Sequence, residues 1–148
     1  MYGRIHEIPK VKDHVKTCIE QGVYDPELIN LYSDEEFDKF ESFIDHKRDM
    51  QFTYAGLRQV VDKYLVQDRS SGIVYETPQF MYLLISASIF AKYPKETRLD
   101  YVKRYYDAIS KHQINIPTPI MGGVRTPLRQ FASCVLVDID DTLDSIFS

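Results

Sequence analysis

With 148 residues, 44% of them hydrophobic and 27% charged, the chain has the size and balance of one globular domain with its own apolar core, and a second full domain would not fit comfortably. No apolar run approaches the roughly 20 residues of a membrane-crossing helix, and Met1–His6 lacks the apolar stretch and cleavage site of a secretory signal, so a cytoplasmic protein without a membrane partner is expected. A net charge of −4 excludes a global attraction to nucleic acid, and two cysteines, Cys18 and Cys134, cannot build a disulfide framework.

Taken in chain order, Val11, Val15, Cys18 and Ile19 recur at helical spacing between Pro9 and Gln21, with Gly22 as a C-terminal stop. Asp25-Pro26-Glu27 supplies an N-cap, a proline at the first helical position and a first-turn acid for a short segment through Leu28 and Leu31. Ser33-Asp34-Glu35-Glu36 fits a capping box, and Phe37, Phe40, Phe43 and Ile44 form one apolar face behind it. A helix is expected from Tyr54 to about Lys63. A hairpin follows, pairing Tyr64–Gln67 with Ile73–Glu76 around a turn at Arg69–Gly72.

Thr77-Pro78 caps the next helix, whose interior Phe80–Phe90 is apolar nearly all round and is expected at the centre of the core. Tyr93-Pro94 ends it. Glu96 to about Lys111 reads as another helix with Leu99, Val102, Tyr106 and Ile109 inward. Lys47-Arg48 and Lys103-Arg104 are expected on solvated helix faces. From Ile114 onward, Pro117, Pro119, Pro127, Gly122 and Gly123 forbid a continuous helix and imply a structured loop. Phe131–Asp138 is an apolar run of strand length, and Asp140–Asp144 has the form of a helix cap and first turn.

A lone strand cysteine such as Cys134 is usually a small buried hydrophobe. Immediately before it, however, lie glycines that let backbone approach a ligand, together with the polar groups of Thr118, Arg125, Thr126 and Arg129. His6, His14, His46 and His112 are scattered without paired ligand spacing, so surface or capping roles are expected and no metal. Cys18 shares its helical face with Val11 and Val15 and is read as core.

The run Pro117-Thr118-Pro119-Ile120-Met121, Gly123-Val124-Arg125-Thr126-Pro127, Arg129-Gln130-Phe131 and Ser133-Cys134-Val135-Leu136 resembles the stretch that enters the catalytic barrel in class I ribonucleotide reductase large subunits. The likeness extends over essentially the whole chain, through Phe43-Ile44-Asp45-His46, Arg48-Asp49, Lys63-Tyr64-Leu65-Val66-Gln67, Tyr93-Pro94, Glu96-Thr97-Arg98-Leu99 and Tyr101-Val102-Lys103-Arg104. It implies a mainly α fold with a β-hairpin: a helical domain over 1–113 with its hairpin near 64–76, then over 114–148 a substrate loop, the first strand of the α/β barrel and the start of a helix.

The same resemblance implies reduction of ribonucleoside diphosphates to their 2′-deoxy forms by thiyl-radical chemistry, with a thiol pair closing to a disulfide. Cys134 matches one thiol of that pair, whose partner must approach with Cα atoms within about 7 Å. Thr118 and Ser133 match substrate-contacting positions. Regular pleating puts Ser133 and Cys134 on opposite strand faces, so side-chain contact by both would require a twist or bulge. Asp141, Thr142 and Leu143 match the specificity site for nucleotide effectors, ATP or deoxynucleoside triphosphates; read alone, they are a plain helix cap.

No cofactor is expected in the large subunit itself, the radical coming from a metal-containing small subunit and the reducing equivalents from thioredoxin or glutaredoxin. The family's second redox cysteine, its radical cysteine, acid–base partners and radical-transfer tyrosines lie downstream of the matched stretch, and its ATP-cone precedes it. The chain is therefore expected to be an N-terminal piece, inactive alone and completed by the remaining part of a large subunit if that subunit is split. A stand-alone helical interaction or nucleotide-binding module is the competing expectation, which would require the Phe131–Val137 edge to be covered.

Overall fold

The computed structural model describes residues 8–68, 70–113 and 118–126, and among these the fold is helical with one small hairpin. Helix α1 spans Val11–Glu20 and buries the stripe Val11, His14, Val15 and Cys18. Its end is a Schellman motif: Gly22 adopts φ +75°, its N–H donates to Ile19 O at 3.0 Å, and Val23 N–H donates to Cys18 O at 3.0 Å. Asp25 caps a 3-10 turn over Pro26–Asn30 by accepting from Glu27 N–H at 3.0 Å.

Helix α2, Asp34–Phe43, carries the expected capping box, with Glu36 N–H donating to Ser33 Oγ at 3.3 Å and Ser33 N–H to Glu36 Oε1 at 3.0 Å. Its buried apolar face is narrower than expected. Phe37 and Phe40 are enclosed and meet Tyr32 edge-on, whereas Phe43 is half-buried and Ile44 has already left the helix with extended backbone. A second 3-10 turn, His46–Gln51, precedes α3, Tyr54–Lys63, which Thr53 caps by accepting from Gly56 N–H at 3.0 Å.

Strands β1, Gln67–Asp68, and β2, Ile73–Val74, pair antiparallel in the register Gln67 to Val74 and Asp68 to Ile73. The hairpin is shorter than its sequence pattern because of one side chain. Tyr75 N–H still donates to Val66 O at 2.9 Å, but Val66 N–H turns to the Glu76 carboxylate at 2.7 Å, removing the donor that would extend the ladder. Gly72 supplies the φ of +77° that the turn requires.

Helix α4, Pro78–Phe90, starts from Thr77, whose hydroxyl accepts from Phe80 N–H at 3.3 Å, and is buried on every side from Pro78 to Ala87 and again at Phe90. Helix α5, Arg98–Ser110, packs against it most closely through Val102, Tyr105, Tyr106 and Ile109, while α1 and α5 each also pack on α2. His112, at φ 60°, closes a second Schellman motif, with Gln113 N–H donating to Ala108 O at 2.9 Å. No helix of the described residues is long and apolar enough to cross a membrane.

The stretch from Ile114 expected as loop contains a short helix, α6, over Thr118–Gly123. Pro119 occupies the first turn, where an amide hydrogen has no intrahelical partner, and the glycines fall at the end, so neither interrupts this short piece. Ile120 is fully buried, and α6 rests on α4. The expected barrel strand over 131–138 and the helix start at 140–144 lie outside the described residues.

Candidate functional site

Of the residues singled out by sequence, Thr118 is the first residue of α6; Ser133, Cys134, Asp141, Thr142, Leu143 and Arg129 lie outside the described residues. What fixes α6 is a buried polar cluster that the sequence pattern did not reveal. Arg125 was expected among groups free to hold a polar ligand, and the structure corrects this: its side chain is 0% exposed and paired with Glu76, also 0% exposed.

Arg125 Nε donates to both Glu76 oxygens, at 2.9 and 3.1 Å, and Nη2 donates to Glu76 Oε1 and, at 3.0 Å, to Tyr64 O. Nη1 donates to Met121 O inside α6. The backbone is tied as well, because Asp25 N–H donates to Arg125 O at 3.1 Å. Burial alone would lower the Arg125 guanidinium, but the Glu76 carboxylate and its hydrogen bonds hold it above the ordinary arginine value. Thr126 turns its hydroxyl back to Gly123 O at 2.8 Å, a local bond closing the same turn.

Glu76 is held from the other side by Val66 N–H and by the Tyr24 hydroxyl, which donates to Oε2. Since that hydroxyl donates to Glu76, its oxygen is free to accept from His14 Nε2, 2.9 Å away, which assigns the Nε2-protonated tautomer to His14. His14 was expected at the surface or as a cap and is instead fully buried, its ring stacked on Phe80 with centroids 4.0 Å apart. Burial pushes it down to about 4, so it is neutral at physiological pH. Burial and the Glu76 carboxylate push the Tyr24 hydroxyl far above the usual tyrosine value.

Cys18 is core, as expected: 1% exposed, with its thiol pushed by burial up to about 12. At that value the nucleophilic thiolate is scarce. His46 is half-buried and meets the edge of Phe80, and burial lowers its imidazole. Arg48 was expected on a solvated face; it reaches across to Asp107 and Ser110 at 2.9 and 2.6 Å.

A second polar chain runs between the His46–Gln51 turn and the two central helices. Asp45 N–H donates to Tyr106 Oη at 2.9 Å, Tyr106 donates to Gln79 Oε1 at 2.6 Å, and Gln79 Nε2 donates to Asp49 Oδ1 at 2.9 Å. Burial raises Asp49 to about 6. Among the described residues no group of His, Cys, Asp or Glu could hold a metal ion. One sequence signal for His14 existed: it stands on the same helical stripe as Val11, Val15 and Cys18.

A family profile described as "Ribonucleotide reductase, all-alpha domain" matches residues 50–129. The chain is 59% identical over 145 residues to the ribonucleoside-diphosphate reductase subunit alpha of Haemophilus influenzae, covering 98% of the chain and 19% of that relative. It is 54% identical over 145 residues to the ribonucleoside-diphosphate reductase 1 subunit alpha of Escherichia coli, with the same 98% and 19% coverage. Against the ribonucleoside-diphosphate reductase subunit alpha of phage T4 the identity is 48% over 146 residues, or 99% of the chain and 19% of the relative. The chain thus spans 19% of the length of these relatives.

Proposed function

The chain belongs to the ribonucleotide reductase family by its all-alpha domain, and from that premise we propose that it forms part of a ribonucleoside-diphosphate reductase alpha subunit, contributing the helical domain and one wall of the substrate site. The observation that carries this reading is identity of 59% sustained over 98% of the chain, so that it includes the stretch holding Thr118, Ser133 and Cys134.

In this reading the substrate is a ribonucleoside diphosphate and the product its 2′-deoxy form. A thiyl radical removes the ribose 3′-hydrogen, and two thiols deliver two electrons and two protons as they close to a disulfide; the 2′-hydroxyl leaves as water. Cys134 is one of the two thiols, Thr118 and Ser133 hold the substrate, and Asp141, Thr142 and Leu143 receive the effector, ATP or a deoxynucleoside triphosphate. The partners are a small, metal-containing subunit that generates the radical and a thioredoxin or glutaredoxin that reopens the disulfide, in the cytoplasm.

The sequence has one cysteine besides Cys134, and Cys18 is buried on the inner face of α1, its thiol 3.8 Å from Tyr75 O and resistant to ionisation. Cys18 is thus unsuited to thiol–disulfide exchange, and the reading takes the second thiol of the pair from outside these 148 residues.

The test is a hybrid alpha subunit in which this chain replaces the matching 145 residues of the Escherichia coli relative, assayed with that organism's small subunit, ATP, a ribonucleoside diphosphate and a dithiol. Formation of deoxyribonucleoside diphosphate at a rate within about 10-fold of the parent supports the reading. No product from a folded hybrid that binds the small subunit overturns it.

A further inference from the structure

We propose that Glu76 and Arg125 are positioning residues for ribonucleotide reduction: their buried ion pair holds α6 at the place where Thr118 meets the substrate. The proposal rests on the reading of Thr118 as a substrate contact and adds the means by which that residue is aimed.

Helix α6 is six residues long, too short to be stable by its own hydrogen bonds, so its place must come from what it is fastened to. Among its described side chains the apolar attachment is Ile120, fully buried, and Met121, partly so, with Val124 partly buried just past its end. Arg125, just past its end, supplies the rest. One guanidinium joins a carbonyl inside α6, Met121 O, to the carbonyl that follows α3, Tyr64 O, and to the carboxylate that precedes α4, Glu76. Three separate elements are thereby referred to one rigid fork.

A buried pair of this kind is a poor device for stability alone, since desolvating both charges offsets most of their attraction and apolar side chains of similar volume often do as well. What it offers is geometry. The guanidinium–carboxylate arrangement has a narrow range of orientations, and each guanidinium nitrogen and both carboxylate oxygens have a hydrogen-bond partner, so a shift of α6 would leave a buried charge without a partner. Glu76 cannot follow such a shift, because Val66 N–H and Tyr24 Oη hold it to the hairpin and to the segment after α1. Thr118 is on the same short helix as the Met121 carbonyl that Arg125 grips, so its position is inherited from this pair.

The experiment uses reductase holoenzyme with the hybrid alpha subunit described above, comparing it with Glu76→Gln and Tyr24→Phe. Glu76→Gln is expected to raise KM for the ribonucleoside diphosphate about 10-fold while kcat stays within about 2-fold, the pattern of lost substrate binding. The effector concentration for half-maximal response should not move. Tyr24→Phe removes one donor to Glu76, together with the acceptor of His14 Nε2–H, and leaves the ion pair, so it serves if Glu76→Gln does not fold; a KM rise of about 2-fold to 3-fold is expected. A fall in kcat with KM unchanged, the result of general loosening, overturns the proposal while leaving the functional reading intact. A folded, unsubstituted hybrid without turnover overturns both.

Discussion

Arg98, at the start of α5, closes with two nitrogens on Glu36, the same carboxylate that completes the capping box of α2. Arg98 Nε donates to Glu36 Oε2 at 2.8 Å and Nη2 to Oε1 at 2.6 Å, and the guanidinium lies 4.4 Å from the centre of the Tyr32 ring. One side chain thus caps a helix and fastens it to the next layer.

Glu36→Gln keeps the shape and removes the charge, and is expected to cost about 2 kcal/mol in chemical denaturation at pH 7. The Arg98 hydrogen bonds hold the Glu36 carboxyl below the usual glutamate value. A depressed acid contributes stability that is present above its unfolded value, near 4.5, and is lost as pH falls through the folded one. The difference between parent and variant should therefore shrink as pH is lowered below about 4.5; a constant difference down to pH 2 would contradict the assignment.

Asp49 and His14 predict opposing pH effects. Asp49 is raised to about 6 from 3.8, so the folded state binds its proton more tightly and stability falls as pH rises between these values. Asp49→Asn keeps an acceptor for Gln79 and should stabilise the protein by about 2 kcal/mol at pH 8, with no gain near pH 3.5. His14, lowered from 6.5 to about 4, acts the other way: the unfolded chain takes the proton first, so stability is lost as pH falls from 6.5 toward 4. In Asp49→Asn that loss is no longer offset, and thermal melts should show a steeper decline between pH 6.5 and 4 than in the parent.

Cys18 should be chemically silent. In Cys134→Ser, a small disulfide reagent at pH 8 is expected to find no reactive thiol in the folded chain and one after denaturation. Rapid stoichiometric labelling of the native protein would contradict the burial of this residue and reopen it as a redox partner.

Most of the helical framework was legible because its signals are local. Ser33 with Glu36, Asp25 with Pro26, and Thr77 with Pro78 each mark a start within four residues, and the nearly all-round apolar character of Phe80–Phe90 puts α4 in the core. The Glu76–Arg125 pair was not legible, because its members are 49 positions apart and no periodicity links a glutamate before one helix to an arginine after another. Residue type alone puts His14 at the surface, whereas its spacing with Val11, Val15 and Cys18 puts it on the buried stripe of α1. In α6, composition alone predicts a loop, because the count of prolines and glycines does not show that Pro119 falls in the first turn and the glycines at the end of a short helix. Thr118, Ser133, Cys134, Asp141, Thr142 and Leu143 owe their assignments to the family resemblance, since spacing alone offers a loop, a strand and a cap.

The central claim, that Cys134 belongs to the reducing thiol pair of a ribonucleoside-diphosphate reductase, is tested most directly by counting product in the hybrid holoenzyme carrying Cys134→Ser, with thioredoxin, its reductase and NADPH as the electron source. We expect multiple turnover in the unsubstituted hybrid and less than about one deoxyribonucleoside diphosphate per alpha subunit in the variant, because a lone thiol cannot form the disulfide that supplies two electrons. Sustained turnover by the variant at the unsubstituted rate would contradict the account.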